Sequence, residues 1–434
     1  MPERKRILLI NPWIYDFAAV NMWARPLGLL KVAEFLSQFD VELQLIDCLD
    51  RFRLKGYNMG KYPKLILPTP EPLLNIKRYY GRYGISLHEF LDRLKTSSPV
   101  DLILVTSLMT YWYPGVFEVI RLCKKYLPET PIILGGIYAS LCTEHAVTLS
   151  GADFVYQGRI GDEFVEILEQ MGIGIEKLNP TTPYYKMNFY KDSPYAPLLT
   201  SEGCPYRCSY CASGILYTHY RRRPVESILK EIRELYSLGV KDFAFYDDAL
   251  LYRPEEHIKP LLYSILKEGM DVRFHTPNGL HARYLDQEVA QLMYRSGFKT
   301  IRLSLETVDT ERQSLTGGKV KNEELDFAIH NLKEAGFTKK QIGVYLMYGL
   351  PGQTLEEVIK GIEYLMSRNV RIHLAEYSPI PGTRDWELLI EKGIIHDDID
   401  LLLTNNTVFS ILYANYDREE LKRMKERVSH YNQV

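Results

Sequence analysis

The sequence has few of the features that mark membrane, secreted or fibrous proteins. No apolar run reaches the roughly 18 residues needed to cross a bilayer. The basic start MPERKRILLIN has too short an apolar core for a signal peptide, and no small-residue cleavage site follows it. Only six cysteines occur in 434 residues. We therefore expect a globular cytoplasmic protein whose cysteines serve as thiols or metal ligands rather than disulfides.

An excess of charge of either sign is also missing. Lys and Arg number 53 and Asp and Glu number 55, so the net charge is only −2. This balance disfavours a dedicated nucleic-acid or membrane-surface binder. Hydrophobic residues make up 46% and charged residues 25%, as in ordinary globular proteins. At about 150 residues per domain, the length predicts two or three domains.

Short apolar strands alternate with helices in the first 172 residues. The predicted strands are Lys5–Asn11, Val41–Ile46, Asp101–Ser107, Pro131–Gly135 and Asp153–Tyr156. Helices are predicted between them, so this α/β pattern indicates a doubly wound, flavodoxin-like parallel sheet. The segment 49–99 interrupts the rhythm and is predicted to be an insertion on the ligand side of the sheet.

The second half repeats strand and helix six times. A proline-containing linker at 173–194 separates it from the first half. The pattern over 195–392 predicts a partial (β/α)6 barrel, and the remaining 393–434 are expected to form a C-terminal cap or extension. Such barrels place their ligands beyond the C-terminal ends of the strands.

The strongest chemical signal is the segment Ser201–Gly214, SEGCPYRCSYCASG. Cys204, Cys208 and Cys211 are spaced C-x3-C-x2-C and follow the first predicted barrel strand. A structural zinc ion would need a fourth protein ligand. A four-iron cluster held by three cysteines would leave one iron open to a substrate or cofactor. The spacing alone leaves both interpretations open.

With Tyr210 as the aromatic residue of C-x3-C-x-aromatic-C, the segment Tyr195–Glu391 resembles the radical S-adenosylmethionine (SAM) superfamily. The resemblance implies that Cys204, Cys208 and Cys211 hold a 4Fe–4S cluster whose open iron chelates SAM. It also implies a reductant such as flavodoxin or ferredoxin. One electron would then cleave the sulfonium and give methionine and a 5′-deoxyadenosyl radical.

Further residues of the same resemblance fall at the ends of predicted barrel strands, namely Asp247 and Asp248, Ser304 and Glu306, Gly349 and Leu350, and the segment Tyr377–Thr383. The resemblance implies that the aspartates contact the methionine amino group, although Tyr246-Asp247-Asp248 replaces the usual Gly-Gly-Glu. Ser304 and Glu306 would bind the methionine carboxylate or ribose hydroxyls, and the backbone of the Gly-Leu pair would contact adenine. Taken singly, each group could instead form a turn or a cap.

Residues 1–172 resemble the cobalamin-binding domain that precedes the radical SAM barrel in one subclass. The resemblance rests on RPLGLL at Arg25–Leu30, on Ser107 at a strand end, on Gly135 and Gly136, and on the segment Gly151–Glu163. Ser107 and the two glycines are the implied cofactor contacts, since glycine lets a backbone approach a flat ring closely.

The same domain departs from the family pattern in the loop Asn11–Ala24, which lacks an Asp-x-His-x-x-Gly motif and any histidine. Cobalamin, if bound, would have no lower histidine ligand, and the domain could alternatively be a scaffold without the cofactor. Aromatic residues of two loops could stack on a corrin or simply pack against neighbouring structure; they are Trp13, Tyr15, Trp23, Tyr111, Trp112 and Tyr113.

The sequence therefore predicts a radical SAM enzyme, with cobalamin-dependent methylation of an unactivated carbon as the leading interpretation. One alternative is a rearrangement, cyclisation or other C–H reaction without cobalamin, and another is a zinc-stabilised binding module. The substrate and the catalytic acid or base are not identified by the sequence. His275, Asn278 and His281 fit substrate contacts and structural hydrogen bonds equally well.

Overall fold

The computed structural model describes residues 4–53, 60–178, 187–190, 193–414 and 416–433. Residues 54–59 of the predicted insertion, and 179–186 and 191–192 of the predicted linker, lie outside these ranges. The chain forms two compact units, Met1–Ser193 and Pro194–Val434. Within the described ranges, no helix is long and apolar enough to cross a membrane.

The first unit is built on a five-stranded parallel sheet. In spatial order its strands are Phe154–Val155, Ile132–Leu134, Leu102–Val105, Lys5–Asn11 and Val41–Asp47. This order confirms the predicted flavodoxin-like sheet. Residues 7–10 of the central strand are fully buried, because helices cover both faces. The helices are Leu27–Leu36, Leu87–Ser97, Tyr113–Tyr126, Ile137–Leu141, Thr143–Leu149 and Asp162–Gln170, and a short 3-10 helix spans Met187–Tyr190.

The described part of 49–99 contains three short antiparallel strands in addition to the helix Leu87–Ser97. Strand Gly81–Tyr83 pairs with Lys64–Ile66 on one side and with Ile14–Asp16 on the other. Val20–Asn21 pairs with Gly60–Lys61, and a short 3-10 helix spans Glu71–Leu73. Because Ile14–Asp16 follows the first parallel strand directly, this substructure begins at the carboxyl end of that strand.

The second unit is a six-stranded parallel sheet whose spatial order equals its sequence order. The strands are Tyr195–Leu198, Asp242–Phe245, Arg273–His275, Phe298–Glu306, Ile342–Tyr348 and Arg371–Glu376. The helices are Ser213–Leu216, Val225–Ser237, Ile258–Glu268, Gln287–Arg295, Thr310–Leu315, Asn322–Glu334, Leu355–Ser367 and Arg384–Glu391, with short 3-10 helices at Pro254–Glu256 and Ala282–Tyr284. The predicted (β/α)6 partial barrel is confirmed.

Side chains on the later barrel strands alternate between two faces. Ile301, Leu303 and Leu305 are fully buried, as are Val344 and Leu346 at similar spacing on the next strand. Leu346 faces the helix Leu355–Ser367, since a Cβ on Gly361 of that helix would lie 2.8 Å from its Cδ1. Because side chains alternate across a strand, the residues between them face the barrel interior.

The C-terminal segment covers the free edge of the sixth strand. Its helices are Leu401–Thr404 (3-10), Asn406–Leu412 and Arg418–Gln433. The Asn432 amide accepts from Ile372 N–H at 3.0 Å and donates to Ile372 C=O at 2.8 Å. Lys425 pairs with Glu376 at 2.8 Å. The exposed strand edge is thereby supplied with partners.

Candidate active site

The cysteine loop begins immediately after the first barrel strand. Two short antiparallel strands, Ser201–Glu202 and Arg221–Arg222, pair across its base. Within the loop, Cys211 N–H donates to Cys208 C=O at 3.1 Å, so the chain turns between these two cysteines. The loop thus starts at the C-terminal end of the barrel strand, where the sequence analysis expected it.

Cys204 and Cys208 are partly buried, Cys211 is more exposed, and Cys208 interacts electrostatically with both of the other thiols. Burial raises the pKa of Cys204 and of Cys211 to about 11, and it raises the pKa of Cys208 as well. Lys319 opposes the rise at all three thiols. The free thiols are therefore protonated at neutral pH, and a metal must displace their protons to bind.

These donors fit an iron–sulfur cluster of the implied type. In the part of the chain that the structure describes, no three Cys, His, Asp or Glu side chains are grouped to hold a single metal ion. In a four-iron cluster each thiolate binds its own iron, and thiolates are its ordinary protein ligands. Cys204, Cys208 and Cys211 supply three thiols from one loop, and all three interact electrostatically with Lys319, which suits that chemistry.

Lys319 connects the cysteine loop to the end of the fourth barrel strand. Its Nζ lies 2.8 Å from Ser304 Oγ and 3.4 Å from Glu306 Oε1. Burial would lower the pKa of Lys319, but Glu306 and the three thiols raise it overall. Lys319 is therefore a charged ammonium beside the predicted site residues. Lys319 was not predicted, because the only sequence signal for it is the pair of glycines, Gly317 and Gly318, that precedes it.

Two glycines allow close packing around this centre. A Cβ on Gly279 would lie 2.1 Å from Ser304 Oγ. Gly317 has a φ of +108°, and a Cβ there would lie 2.9 Å from Arg207 C=O and 3.0 Å from Cys208 Cα. The segment that carries Lys319 therefore rests directly on the cysteine loop.

Glu306 adopts a conformation that is unusual for a residue with a side chain. Its φ is +67°, and the pairing with the fifth strand skips one residue between Ser304 and Glu306. This bulge changes the direction of the carboxylate at the strand end. A backbone held in a left-handed conformation at a strand terminus is typical of functional sites.

The two predicted aspartates lie in different environments. Asp247 is buried and accepts hydrogen bonds from Thr200 N–H at 3.0 Å, Thr200 Oγ1 at 2.7 Å and Ser201 Oγ at 2.6 Å. It fixes the start of the cysteine loop. Asp248 is exposed, accepts from Ser213 Oγ at 2.6 Å and interacts electrostatically with Cys204 and Cys211. Asp248 is therefore the aspartate nearer to the thiols.

Tyr210 and the turn after the fifth strand share one apolar cluster. Tyr210 packs against a buried group that includes Leu350, Tyr377 and Phe409, and burial raises its pKa well above the ordinary value. Gly349 has a φ of +88°, and its N–H donates to Tyr416 OH at 3.1 Å. The predicted adenine contact is thus packed next to the cysteine loop.

Arg312 holds the same turn from outside and was not predicted. Its guanidinium donates to the carbonyls of Pro351 and Gly352 at 3.0 Å each and pairs with Glu357 at 2.9 Å. A cavity of about 580 Å³ is lined by Arg312, Ser209 of the cysteine loop and Leu350 of the turn, among other residues. Arg312 therefore positions the turn relative to the loop.

The three polar residues at and after the end of the third strand, His275, Asn278 and His281, have distinct roles. His275 contacts Asp242 at 2.9 Å and Thr300 at 3.0 Å, and Asn278 donates to Tyr246 C=O at 2.8 Å. His281 is buried and stacks on Tyr206 of the cysteine loop with ring centroids 4.8 Å apart. His275 and Asn278 thus make structural hydrogen bonds, whereas His281 supports the cysteine loop.

In the first unit, Ser107 and Gly136 are already used by the chain. Ser107 Oγ donates to Gly135 C=O at 2.7 Å and accepts from Ala139 N–H at 3.2 Å. Gly136 has a φ of +97°, and a Cβ on it would lie 2.4 Å from Ser107 C=O. Gly135 has more space, since its nearest such contact is 3.8 Å away. The packing of the turn therefore requires glycine at position 136, but not at position 135.

Most of the loop aromatics pack inside the first unit. Trp13 is buried against Phe90, and its Nε1 donates to Ile85 C=O at 2.8 Å. Trp112 donates to the buried Asp16 at 2.7 Å. Trp23 and Tyr111 are buried, while Tyr15 and Tyr113 are half-buried. Trp13 and Trp112 therefore pack against neighbouring parts of the first unit, which is one of the two roles that the sequence left open for them.

A partial barrel with a three-cysteine loop at its first strand end defines a class of enzymes, and the comparison with known families agrees. Residues 198–365 match the model of the radical SAM superfamily. The second unit therefore contains a radical SAM domain, as the motif predicted. This domain implies a 4Fe–4S cluster and SAM as cofactors.

The chain is similar in sequence to curated methyltransferases. It is 26% identical over 223 residues to an uncharacterized methyltransferase of Pyrococcus horikoshii, covering 50% of this chain and 47% of that protein. It is 24% identical over 305 residues to the bacteriochlorophyllide d C-12(1)-methyltransferase of Chlorobaculum tepidum, covering 64% of each. The matches thus span between about half and two thirds of these relatives.

A solved structure has the same fold. The radical S-adenosylmethionine methyltransferase TsrM of Kitasatospora setae, determined with cobalamin and a [4Fe-4S] cluster bound, superposes with a TM-score of 0.65 at 16% identity. The match covers 90% of this chain and 75% of TsrM. The Rossmann-like first unit followed by a radical SAM barrel is therefore a known arrangement.

Proposed function

We propose that the chain is a radical SAM enzyme that methylates an unactivated carbon with the help of cobalamin. One observation carries the proposal: Lys319 interacts electrostatically with all three thiols and also contacts Ser304 and Glu306. Residues predicted from two separate parts of the sequence, the cysteine motif and the end of the fourth strand, thus interact with the same lysine. The methyltransferase names of the relatives and the cofactors of TsrM support the choice of methyl transfer.

Each site residue has a proposed role toward the cofactors. Cys204, Cys208 and Cys211 hold the cluster, which when bound supplies the electron that cleaves the sulfonium of SAM. The Lys319 ammonium complements the carboxylate of the methionine moiety, and the Asp248 carboxylate complements its amino group. Backbone groups of Gly349 and Leu350 contact adenine. Ser304 and Glu306 orient Lys319 or bind ribose hydroxyls.

Tyr210 and Asp247 hold the cysteine loop in position. Tyr210 anchors the cysteine loop on the apolar cluster around Leu350, which keeps that side of the loop dry. Asp247 fixes the loop start through Thr200 and Ser201.

In the first unit we assign cobalamin to the carboxyl edge of the parallel sheet, near Ser107, Gly135 and Gly136. The space above Gly135 and the left-handed turn at Gly136 support this assignment. The internal hydrogen bonds of Ser107 support a second candidate function, which is radical SAM chemistry on a C–H bond without bound cobalamin. Either function needs a one-electron reductant such as flavodoxin or ferredoxin. For either function, we propose that the chain acts in the cytoplasm.

Product analysis decides between the two candidate functions. The chain is reconstituted without oxygen, supplied with cobalamin and a reductant, and incubated with SAM and cell extract. We expect both 5′-deoxyadenosine and S-adenosylhomocysteine by mass spectrometry, since one SAM yields the radical and another donates the methyl group. 5′-Deoxyadenosine without S-adenosylhomocysteine, unchanged when cobalamin is omitted, would favour the second candidate. A triple Cys204→Ala, Cys208→Ala, Cys211→Ala variant should give neither product.

A further inference from the structure

Two arginines of the barrel interior carry charge that the described chain does not balance. Arg302 lies on the fourth strand and Arg371 on the sixth, and both flank Gly343 of the fifth strand in the sheet register. Within the described ranges, neither arginine has a carboxylate within 4.0 Å, although ion pairs are frequent elsewhere in this unit. The Arg371 Nε is buried there without a hydrogen-bond partner.

His373 lies with these arginines over the same glycine. A Cβ on Gly343 would lie 2.6 Å from His373 Nε2 and 2.9 Å from Arg302 Nη1, so both groups meet in the space that the missing side chain leaves. The His373 Nε2 atom is buried and has no hydrogen-bond partner in the described part of the chain. Tyr345 borders the group, with its ring 5.7 Å from that of His373.

Carboxylates on the second and fourth strands already have cationic partners. Asp242 is held by Arg273 in a two-pronged contact at 2.7 and 2.5 Å and by His275 at 2.9 Å. Glu306 pairs with Lys319. Burial and the repulsion from Arg371 lower the pKa of Arg302, and burial with both arginines lowers the pKa of His373 to about 3. The interior therefore holds two neighbouring cations and one neutral imidazole.

We propose that Arg302, Arg371 and His373 form a binding site for one oxyanion group, a carboxylate or a phosphate, inside the barrel. The guanidinium fork suits either group, and the neutral imidazole can add one donated hydrogen bond. Arg302, Arg371 and His373 are each only partly buried, so part of each side chain remains open to a ligand.

The occupant is the acidic group of the substrate, an assignment that rests on the proposed function. Arg302 precedes Ser304 by two residues on the same face of one strand, which separates them by about 7 Å. An acid group on the arginines would thus place the rest of a small molecule toward Ser304 and Lys319. The inferred substrate class is a small organic acid or phosphate ester.

The test measures anion binding to the full chain with its cluster reconstituted and without SAM. Sodium acetate and sodium phosphate are titrated by calorimetry against a chloride background of matched ionic strength. We expect saturable binding, with the tighter of the two anions indicating whether the substrate carries a carboxylate or a phosphate. Arg302→Gln and Arg371→Gln should each weaken binding about tenfold or more, as expected for loss of a charge-assisted hydrogen bond.

Arg427→Gln is the matched control, because Arg427 is half-exposed on the C-terminal helix and pairs with Glu363. It should bind anions like the wild type. If the glutamine variants fail to fold, Arg302→Lys keeps the charge but not the fork and should still bind several-fold more weakly. Absence of saturable binding, or equal binding by wild type and folded variants, would overturn the site. Because SAM is omitted, that result leaves the proposed function standing, whereas failed SAM cleavage by the wild type does not affect this measurement.

Discussion

At the scale of single residues, the site depends on one buried ion pair that the sequence did not announce. Lys319 and Glu306 are 11–16% exposed at their side chains and lie 3.4 Å apart. A buried pair of this kind contributes little net stability, but removal of one partner leaves the other uncompensated. The pair therefore makes the geometry of the strand end sensitive to either substitution.

Lys319→Met is expected to lower the free energy of unfolding by about 3 kcal/mol, because Glu306 would remain buried without a counter-charge. The double variant Lys319→Met, Glu306→Gln should lose clearly less than the sum of the two single variants. Urea unfolding of the full chain measures both effects. Strict additivity in this double-mutant cycle would show that the two side chains do not interact.

At the scale of elements, the loops at the strand ends are held by side chains from other elements. Arg312, on the helix Thr310–Leu315, holds two carbonyls of the turn that follows the fifth strand. Asp242, on the second strand, links to Arg273 and His275 on the third. Each of these contacts fixes one element against its neighbour. A substitution of Arg312 and a substitution of Asp242 therefore test the two contacts separately.

Arg312→Lys is expected to weaken SAM binding about tenfold while the chain stays folded, because lysine cannot hold both carbonyls with a planar fork. Anaerobic equilibrium dialysis with SAM measures the change. Arg368→Lys is the control, since Arg368 makes a similar two-pronged contact with Asp326 away from the turn. Equal effects of the two substitutions would mean that Arg312 has no special relation to the SAM site.

Asp242 is expected to make stability depend on pH in the acid range. Although burial raises the pKa of this carboxyl, Arg273 and His275 lower it to about 2, from an ordinary value of 3.8. Its contribution, about 2 kcal/mol, is complete above about pH 4 and disappears as the pH falls toward 2. Urea unfolding of the wild type and of Asp242→Asn should converge over this window. A constant difference down to pH 2 would contradict the assignment.

At the scale of the whole molecule, the strands, the helices and the cysteine motif were predictable from the sequence, whereas contacts between side chains of different elements were not. The strand–helix alternation predicted both sheets, because hydrophobic periodicity reflects the burial of each element. The spacing of Cys204, Cys208 and Cys211 located the cysteine loop, because three cysteines within eight residues can bind one metal cluster from a single loop. Residues 198–365, which contain this motif, match the model of the radical SAM superfamily.

Lys319, Arg312 and the Arg302–Arg371 pair were not predictable for a common reason. Each acquires its role from a partner on another element, and isolated lysines and arginines are ordinary surface residues in most sequences. A weak signal existed only for Lys319, which follows two consecutive glycines, Gly317 and Gly318. Ser107 and Gly136 looked like cofactor contacts, but the fold also needs them for its own turn.

The most direct measurement of the central claim is the iron and sulfide content of the chain purified and reconstituted without oxygen, combined with SAM cleavage on reduction. We predict four irons and four sulfides per chain, in line with a 4Fe–4S cluster, together with 5′-deoxyadenosine formation that the triple cysteine variant lacks. A chain that binds zinc instead of iron, or one that holds iron but does not cleave SAM, would contradict the account.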